Sequence, residues 1–178
     1  MDATHESEQW RNLPNVEERF WAKVDKTEGC WLWKLSPSSR GYGFFHYTAV
    51  KNHHKNALAH RVAYSLTHGP ITPDQILDHL CFNRRCVRPS HLRIVTAKQN
   101  REHLAGAQAN NQCGVRGVYF EKGAYRRKPW RARVMHNKKF VEAGQFATLE
   151  EATEAVRLKR LELFTHSDAD ELQAAPPG

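Results

Sequence analysis

Long apolar runs are missing from this chain: no segment approaches the roughly 18 residues that a helical membrane span requires. The opening residues, Met1–Glu8, are polar and acidic, without the basic and apolar regions of a secretory signal, so a soluble, cytoplasmic protein with no membrane partner is expected. Cysteine is scarce, four in 178 residues. That is thin for a disulfide-dense secreted scaffold, and a reducing compartment favours thiols or metal ligands instead. Acidic residues are outnumbered, 19 against 27 lysines and arginines, for a net charge of +8. Such a surplus suits a polyanionic partner, but a basic surface of no special purpose gives the same total, so the position of the charge must decide.

The length allows one ordinary domain or two small ones, and small domains usually need a staple beyond their hydrophobic core, which makes a metal a reasonable expectation. Residues 1–14 carry no pattern and read as a flexible tail. Phe20, Trp21 and Val24 fall at helical spacing behind Glu17 and Glu18, predicting a short helix capped by Asn15. Strand-like pieces follow at Cys30–Trp33, Tyr42–Tyr47 and Ala57–Ala59, separated by polar turns at 36–39 and 51–55, as in one small antiparallel sheet. Val62, Ala63 and Leu66 predict a helix over His60–His68, stopped by Gly69 and Pro70. Then come a strand ending near Ile76-Leu77, a loop over Cys81–Ser90, a strand over Leu92–Val95 and a helix capped by Thr96.

That last stretch holds the chemistry. Four residues separate Cys81 from Cys86, and four separate Cys86 from His91, a spacing that lets a tight loop wrap three ligands around one ion. Cys30 is the best fourth ligand, since a tetrahedral site of three cysteines and one histidine would tie the sheet near Trp31 to the loop and replace missing core; Zn2+ is the expected structural ion. The plain alternative is that these cysteines are ordinary small buried side chains. Cys113 reads as a bystander. A second, harder site comprises Asp78, at a strand end, and Asn100, in the following helix, whose oxygens suit Mg2+ or Mn2+. His79, beside Asp78, has the ordinary basicity to accept a proton from a water aimed at phosphorus. Arg61 is a candidate for the scissile phosphate, with a fold-bracing role as its alternative. Arg84 and Arg85 in the loop face either a nucleic-acid backbone or solvent.

Asp78-His79 with a downstream helical Asn100 resembles the HNH nucleases, and the run His79, Cys81, Cys86, His91 and Asn100 resembles the His-Cys box homing endonucleases; both belong to the His-Me finger, or ββα-metal, group. The likeness spans roughly residues 17–105 and includes Gly41-Tyr42-Gly43 and His60-Arg61-Val62-Ala63-Tyr64. It implies His79 as general base, Asn100 as catalytic metal ligand with Asp78 the extra carboxylate, and Cys30, Cys81, Cys86 and His91 as structural zinc ligands. Where many relatives carry Asn before Pro, this chain has Arg88.

After a small, polar stretch at 104–112, strands are predicted over Val115–Phe120, Trp130–Met135 and Lys139–Phe146, with an amphipathic helix from Thr148 to about Phe164. Between Arg116 and Lys139 only Glu121 interrupts a run of basic residues, and alternation puts Arg131 and Arg133 on the face opposite Trp130, Ala132 and Val134. The Gly114–Tyr119 segment, Trp130–Arg133, Gly144–Phe146 and the Glu-rich helix resemble the Apetala/ethylene-response DNA-binding domain, which implies a sheet in the major groove. Its candidate DNA contacts are Arg116, Tyr119, Arg126, Arg127, Trp130, Arg131, Arg133, Lys138 and Lys139.

The reading is therefore an α+β chain: a flexible tail (1–14), a zinc-stabilised ββα-metal nuclease core (15–105), a linker (106–113), a three-stranded antiparallel sheet plus helix that binds DNA (114–165) and a disordered tail (166–178). It describes a phage-type homing endonuclease acting on double-stranded DNA inside a bacterial cell, as monomer or homodimer. A non-catalytic zinc-containing DNA-binding regulator is the main alternative, and a nonspecific nuclease or ribonuclease a weaker one.

Overall fold

The computed structural model describes residues 9–47, 55–104, 106–107, 111–123 and 127–172. It is a mixed α and β chain with small antiparallel sheets, dividing into two compact units, Met1–Thr96 and Ala97–Gly178.

In the first unit a single 3-10 turn, Gln9–Asn12, precedes helix α1, Val16–Trp21. Strands β1, Val24–Lys26, and β2, Trp31–Trp33, form one antiparallel ladder; β3, Phe44–His46, and β4, Asn56–Leu58, form another. Helix α2, Ala59–His68, starts directly off β4 and stops where Gly69 takes φ +96. Strands β5, Ile76–His79, and β6, Leu92–Val95, pair antiparallel with Asp78 opposite Arg93 and His79 opposite Leu92. The core is aromatic: Phe20, Trp33 and Phe45 are fully buried, with Phe20 packed 5.2 Å from Trp33 and edge-on to Phe45 at 5.3 Å. A Cβ on Gly43 would lie 2.5 Å from Trp33 Cδ1, so only glycine lets β3 lie this close to the indole.

Three sequence expectations change here. Residues 9–14 are not a tail: Trp10 is 2% exposed within this core, Leu13 packs against it, and Arg11 donates to the Ser65 carbonyl at 2.5 Å. One tryptophan among polar neighbours has no periodicity to betray it. Asn15 sits at φ 53 with no side-chain cap, and Val24 belongs to β1 rather than to the helix; it is buried in either role, which is why its spacing misled. The expected single sheet is two separate ladders. Lys51–His54 of the second predicted turn lie outside the described residues.

The second unit opens with helix α3, Ala97–Glu102, followed by the antiparallel meander β7, Val118–Phe120, β8, Trp130–His136, and β9, Lys139–Phe146. Helix α4, Leu149–Leu163, begins with a Thr148–Glu151 capping box. Alternation works as expected: Val118, Ala132 and Val134 are buried against Ala152 and Val156. The β8–β9 turn places Asn137 and Lys138 at φ 48 and 64, the two left-handed residues that a tight hairpin turn demands.

The expected linker does not mark the division between the units. Arg116 donates to the carbonyls of Arg101 at 2.8 Å, Glu102 at 2.9 Å and Leu104 at 3.2 Å, while Glu102 accepts from the Thr165 amide and hydroxyl, both at 3.0 Å. These contacts hold α3 inside the second unit. Nor does the chain become disordered at residue 166: Asp168–Leu172 forms helix α5, and buried Asp170 accepts from Arg160 at 2.5 and 2.8 Å. Residues 173–178 lie outside the described ones.

Trp10→Ala is expected to destabilise the first unit by about 3–5 kcal/mol, the range for large-to-small core changes. Asp170→Ala, which strands a buried guanidinium, is expected to cost the second unit about 3–5 kcal/mol. Chemical denaturation measures both, and losses under about 1 kcal/mol would return these residues to flexible tails.

Candidate active site and metal centre

Two segments far apart in sequence meet at the loop between β5 and β6. The Trp31 carbonyl accepts from the Val87 amide at 2.8 Å and the Trp33 amide donates to Arg85 O at 3.1 Å, so Cys86 pairs across to Leu32 of β2. Arg88 closes the same join: its guanidinium donates to the carbonyls of Glu28 and of Gly29, the latter at 2.7 Å. This brings Cys30 onto the loop that carries Cys81, Cys86 and His91. The four ligand atoms lie within 4.8 Å of one another, with His91 Nδ1 3.7 Å from Cys30 Sγ and 3.6 Å from Cys86 Sγ.

Those separations fit a metal. Tetrahedral zinc, with sulfur at about 2.3 Å and nitrogen at about 2.0 Å, puts its ligand atoms roughly 3.5–3.8 Å apart. The thiols already polarise one another: a hydrogen bond from Cys86 draws Cys81 down to about 4, the same contact pushes Cys86 up, and burial raises Cys30. A dication stabilises all three as thiolates at once. Cys113 is elsewhere, in the second unit, where its thiol donates to Asn111 Oδ1 and the Val118 carbonyl.

Beside the cluster, His79 is 6% exposed and its Nε2 lies 3.1 Å from the Cys86 carbonyl. A carbonyl only accepts, so Nε2 carries the proton and Nδ1 keeps its lone pair. Burial lowers the His79 pKa. His60 and Tyr42 complete a group of three rings, His60 at 4.9 Å and Tyr42 at 6.0 Å from His79. His60 is 5% exposed, its Nδ1 has no hydrogen-bond partner among the described residues, and burial, with His79 and Arg61 nearby, takes its pKa down to about 3. Nothing local in the sequence singles out Tyr42 or His60 as neighbours of His79.

Asp78 is held by its cross-strand neighbour: Arg93 Nε and Nη2 lie 3.2 and 3.1 Å from Oδ2. That pairing follows from the β5–β6 register, which neither strand's own sequence records. Arg61, expected at a phosphate, instead donates to the carbonyls of Gln75 at 2.7 Å and Thr72 at 2.8 Å, bracing the turn before β5. A long side chain at the start of a helix reaches a nearby carbonyl pair more readily than its sequence position reveals. Asn100 is half-buried on α3, in the second unit.

The exposed face of the β7–β8–β9 sheet differs from a plain basic surface. Arg131 is clamped between Glu142, with contacts of 2.5 and 3.1 Å, and Glu121 at 3.3 Å. Arg133 lies between the rings of Tyr119 and Phe140, 4.7 and 3.9 Å from their centroids. Trp130 is half-buried edge-on to Phe120, and Arg127, Lys138 and Lys139 are exposed. Arg116 is turned inward onto α3 and the Phe164 ring, which removes it from this face. Arg126 lies outside the described residues.

Comparison with known proteins adds a family. Residues 57–102 match the HNH endonuclease family. Protein 7.7 of Escherichia phage T7 is 32% identical over 87 residues, which are 48% of this chain and 63% of that relative. No solved structure matches. The chain is thus similar to HNH endonucleases over residues 57–102 and has a distant phage relative, and HNH nucleases are metal-dependent enzymes of nucleic acid. No helix among the described residues is long and apolar enough to cross a membrane.

About one zinc per chain is expected after purification, lost in Cys86→Ser and His91→Ala together with a lower unfolding midpoint; elemental analysis showing full zinc in both variants would dismiss the site. His60 gives a separate acid signature. Its folded pKa of about 3 lies below the ordinary 6.5, so its contribution to stability is complete above pH 6.5 and is lost as pH falls toward 3. His60→Gln is therefore expected to flatten the acid limb of the stability curve by about 1.4 kcal/mol per pH unit in that window. An unchanged limb would show that the ring takes up its proton without unfolding.

Proposed function

We propose that this protein is a metal-dependent, site-directed DNA endonuclease, of the homing type, with a ββα-metal core and a sheet-bearing unit that chooses the site. The observation that carries the reading is His79. It sits inside the HNH-matched segment, next to a buried carboxylate, with its outer nitrogen held protonated by the Cys86 carbonyl and its other nitrogen left basic.

In this mechanism Nδ1 of His79 takes the proton of a water as it attacks phosphorus, and the Cys86 carbonyl stabilises the imidazolium that forms. Because Cys86 is also one of the four cluster residues that could hold zinc, a zinc bound there would position the base as well as brace the loop. Arg93 orients the Asp78 carboxylate. Asp78 offers a hard oxygen donor suited to magnesium or manganese, an ion that would neutralise charge on the phosphate and leaving oxygen, and Asn100 is retained as a candidate metal ligand on its own helix. Arg61 braces the turn before β5 through the Thr72 and Gln75 carbonyls.

On the sheet, Tyr119, Trp130, Arg131 and Arg133 are assigned to double-stranded DNA, with Arg127, Lys138 and Lys139 supplying attraction to phosphates. Arg131 and its two carboxylates carry net negative charge together, which suits the neutral edge of a base better than a phosphate. The chain works as monomer or homodimer.

A second reading, a non-catalytic zinc-containing DNA binder, draws support from the Asp78–Arg93 ion pair, which already neutralises the carboxylate. Cleavage separates the two. Supercoiled DNA incubated with the protein and magnesium is expected to be nicked or linearised, and EDTA to prevent it. His79→Ala and Asn100→Ala are each expected to slow cutting by about 10²–10⁴-fold with zinc content and DNA affinity retained. Undiminished cutting by both variants would reject the mechanism, and binding without cutting by the unaltered protein would favour the regulator.

A further inference from the structure

Five guanidinium groups of the first unit are hydrogen-bonded within it. Arg11, Arg61, Arg85, Arg88 and Arg93 all donate to acceptors of their own unit: Ser65, the Thr72 and Gln75 carbonyls, the Trp33 carbonyl at 2.9 Å, the Glu28 and Gly29 carbonyls, and Asp78. Arg84 and Arg85 are both exposed and each guanidinium donates to one carbonyl, of Arg40 at 3.1 Å and of Trp33, but Arg84 alone of the two also lies over the Tyr42 ring among the described residues.

Its placement is nevertheless defined. The guanidinium carbon lies 5.5 Å from the centroid of the Tyr42 ring, and Tyr42 is the ring that lies 6.0 Å from His79. Gly41, at φ +84, brings the backbone of the preceding turn beneath the Arg84 stem, where a Cβ would meet Arg84 Cβ and Cδ at 3.7 Å. The backbone carrying Arg84 is pinned on both sides: the Phe82 amide donates to His79 O at 3.0 Å, and Cys86 N donates to Asn83 O at 3.0 Å. Two metal-cluster cysteines, Cys81 and Cys86, flank it. An Arg stacked on an aromatic face keeps the edges of its fork available for an oxyanion.

We propose that Arg84 is the phosphate-binding arginine of this site, gripping a nucleic-acid backbone phosphate beside His79 in the role that sequence position suggested for Arg61. The inference rests on the nuclease reading for the identity of the phosphate, and on the Arg40–Tyr42–His79 arrangement for the identity of the residue. The charge of Arg84 also bears on His79, tending to lower its pKa, as expected of groups that share one small site. Stacking and a fixed loop reduce the side-chain freedom that must be given up on binding.

The test compares Arg84→Ala, Arg84→Lys and Lys34→Ala in the full zinc-loaded chain; Lys34→Ala removes one exposed charge elsewhere on the same unit. Affinity for a short fluorescent duplex is measured over a range of salt in the His79→Ala background, and plasmid cutting is measured in the unaltered background. Arg84→Ala is expected to reduce the slope of log affinity against log salt by about 0.9, the contribution of one phosphate contact, and Arg84→Lys to restore it. At saturating DNA, Arg84→Ala is expected to cut at least tenfold more slowly, Arg84→Lys to recover only part of the rate because a point charge lacks the planar fork, and Lys34→Ala to cut within twofold of the unaltered protein. If Arg84→Ala matches Lys34→Ala in both slope and rate, the proposal is overturned. Should the unaltered protein bind but never cut, the nuclease reading fails, and the salt slopes alone decide for or against Arg84. Arg84→Gln, which keeps the length of the stem, replaces Arg84→Ala if the latter loses zinc.

Discussion

Three thiols and an imidazole, drawn from three places in the chain, meet within 4.8 Å, and much of the first unit is organised around that meeting. Cys30 follows β1, Cys81 and Cys86 lie in the loop after β5, and His91 stands just before β6. Bringing them together joins β2 to the loop through Leu32 and Cys86 and places Arg88 over the Glu28–Gly29 carbonyls. A unit of this size has little core to draw on, essentially one aromatic cluster around Phe20, Trp33 and Phe45. A cross-link that fixes the loop supplies stability where apolar burial is limited.

The same loop orients the side chains beside it. The Cys86 carbonyl is the acceptor that selects the His79 tautomer, and Arg84 rides on the short arc between two cluster cysteines. The cluster, the imidazole and the exposed arginine therefore share one loop: Cys86 belongs to the first, its carbonyl holds the second, and Arg84 lies two residues before it. The HNH-matched segment, 57–102, spans this loop and runs on into α3, the first helix of the second unit. Arg116 and Glu102 hold that helix by its C-terminal end, which makes the second unit the owner of the last element of the matched segment.

In the second unit, net charge overstates how much positive surface is available. Arg116 and Arg160 are committed to internal acceptors, and Arg131 is matched by two carboxylates. The sheet face is a patterned one, with an ion-paired arginine, an arginine between two aromatic rings, and lysines gathered at the β8–β9 turn. Its positive charge is thus partly matched within the sheet, and the exposed lysines are the part that salt screens most readily.

Much of this was legible in the sequence by itself. Strands β8 and β9 and helix α4 followed from alternation and helical amphipathicity, because local periodicity reports which side of an element faces water. The grouping of Cys81, Cys86 and His91 followed from spacing, since the loop is short, whereas Cys30 reaches them only through the folded chain. What tertiary structure decided was where the long side chains go. Arg61 turned to two carbonyls, Arg93 to a carboxylate on the adjacent strand, Arg116 to a helix end, and Trp10 from an unpatterned segment into the core. A guanidinium on a flexible stem binds whichever acceptor the folded chain brings within reach, and that acceptor is set by contacts between residues distant in sequence. Composition and period carry no record of such contacts, so these roles became visible only once the chain had folded back on itself.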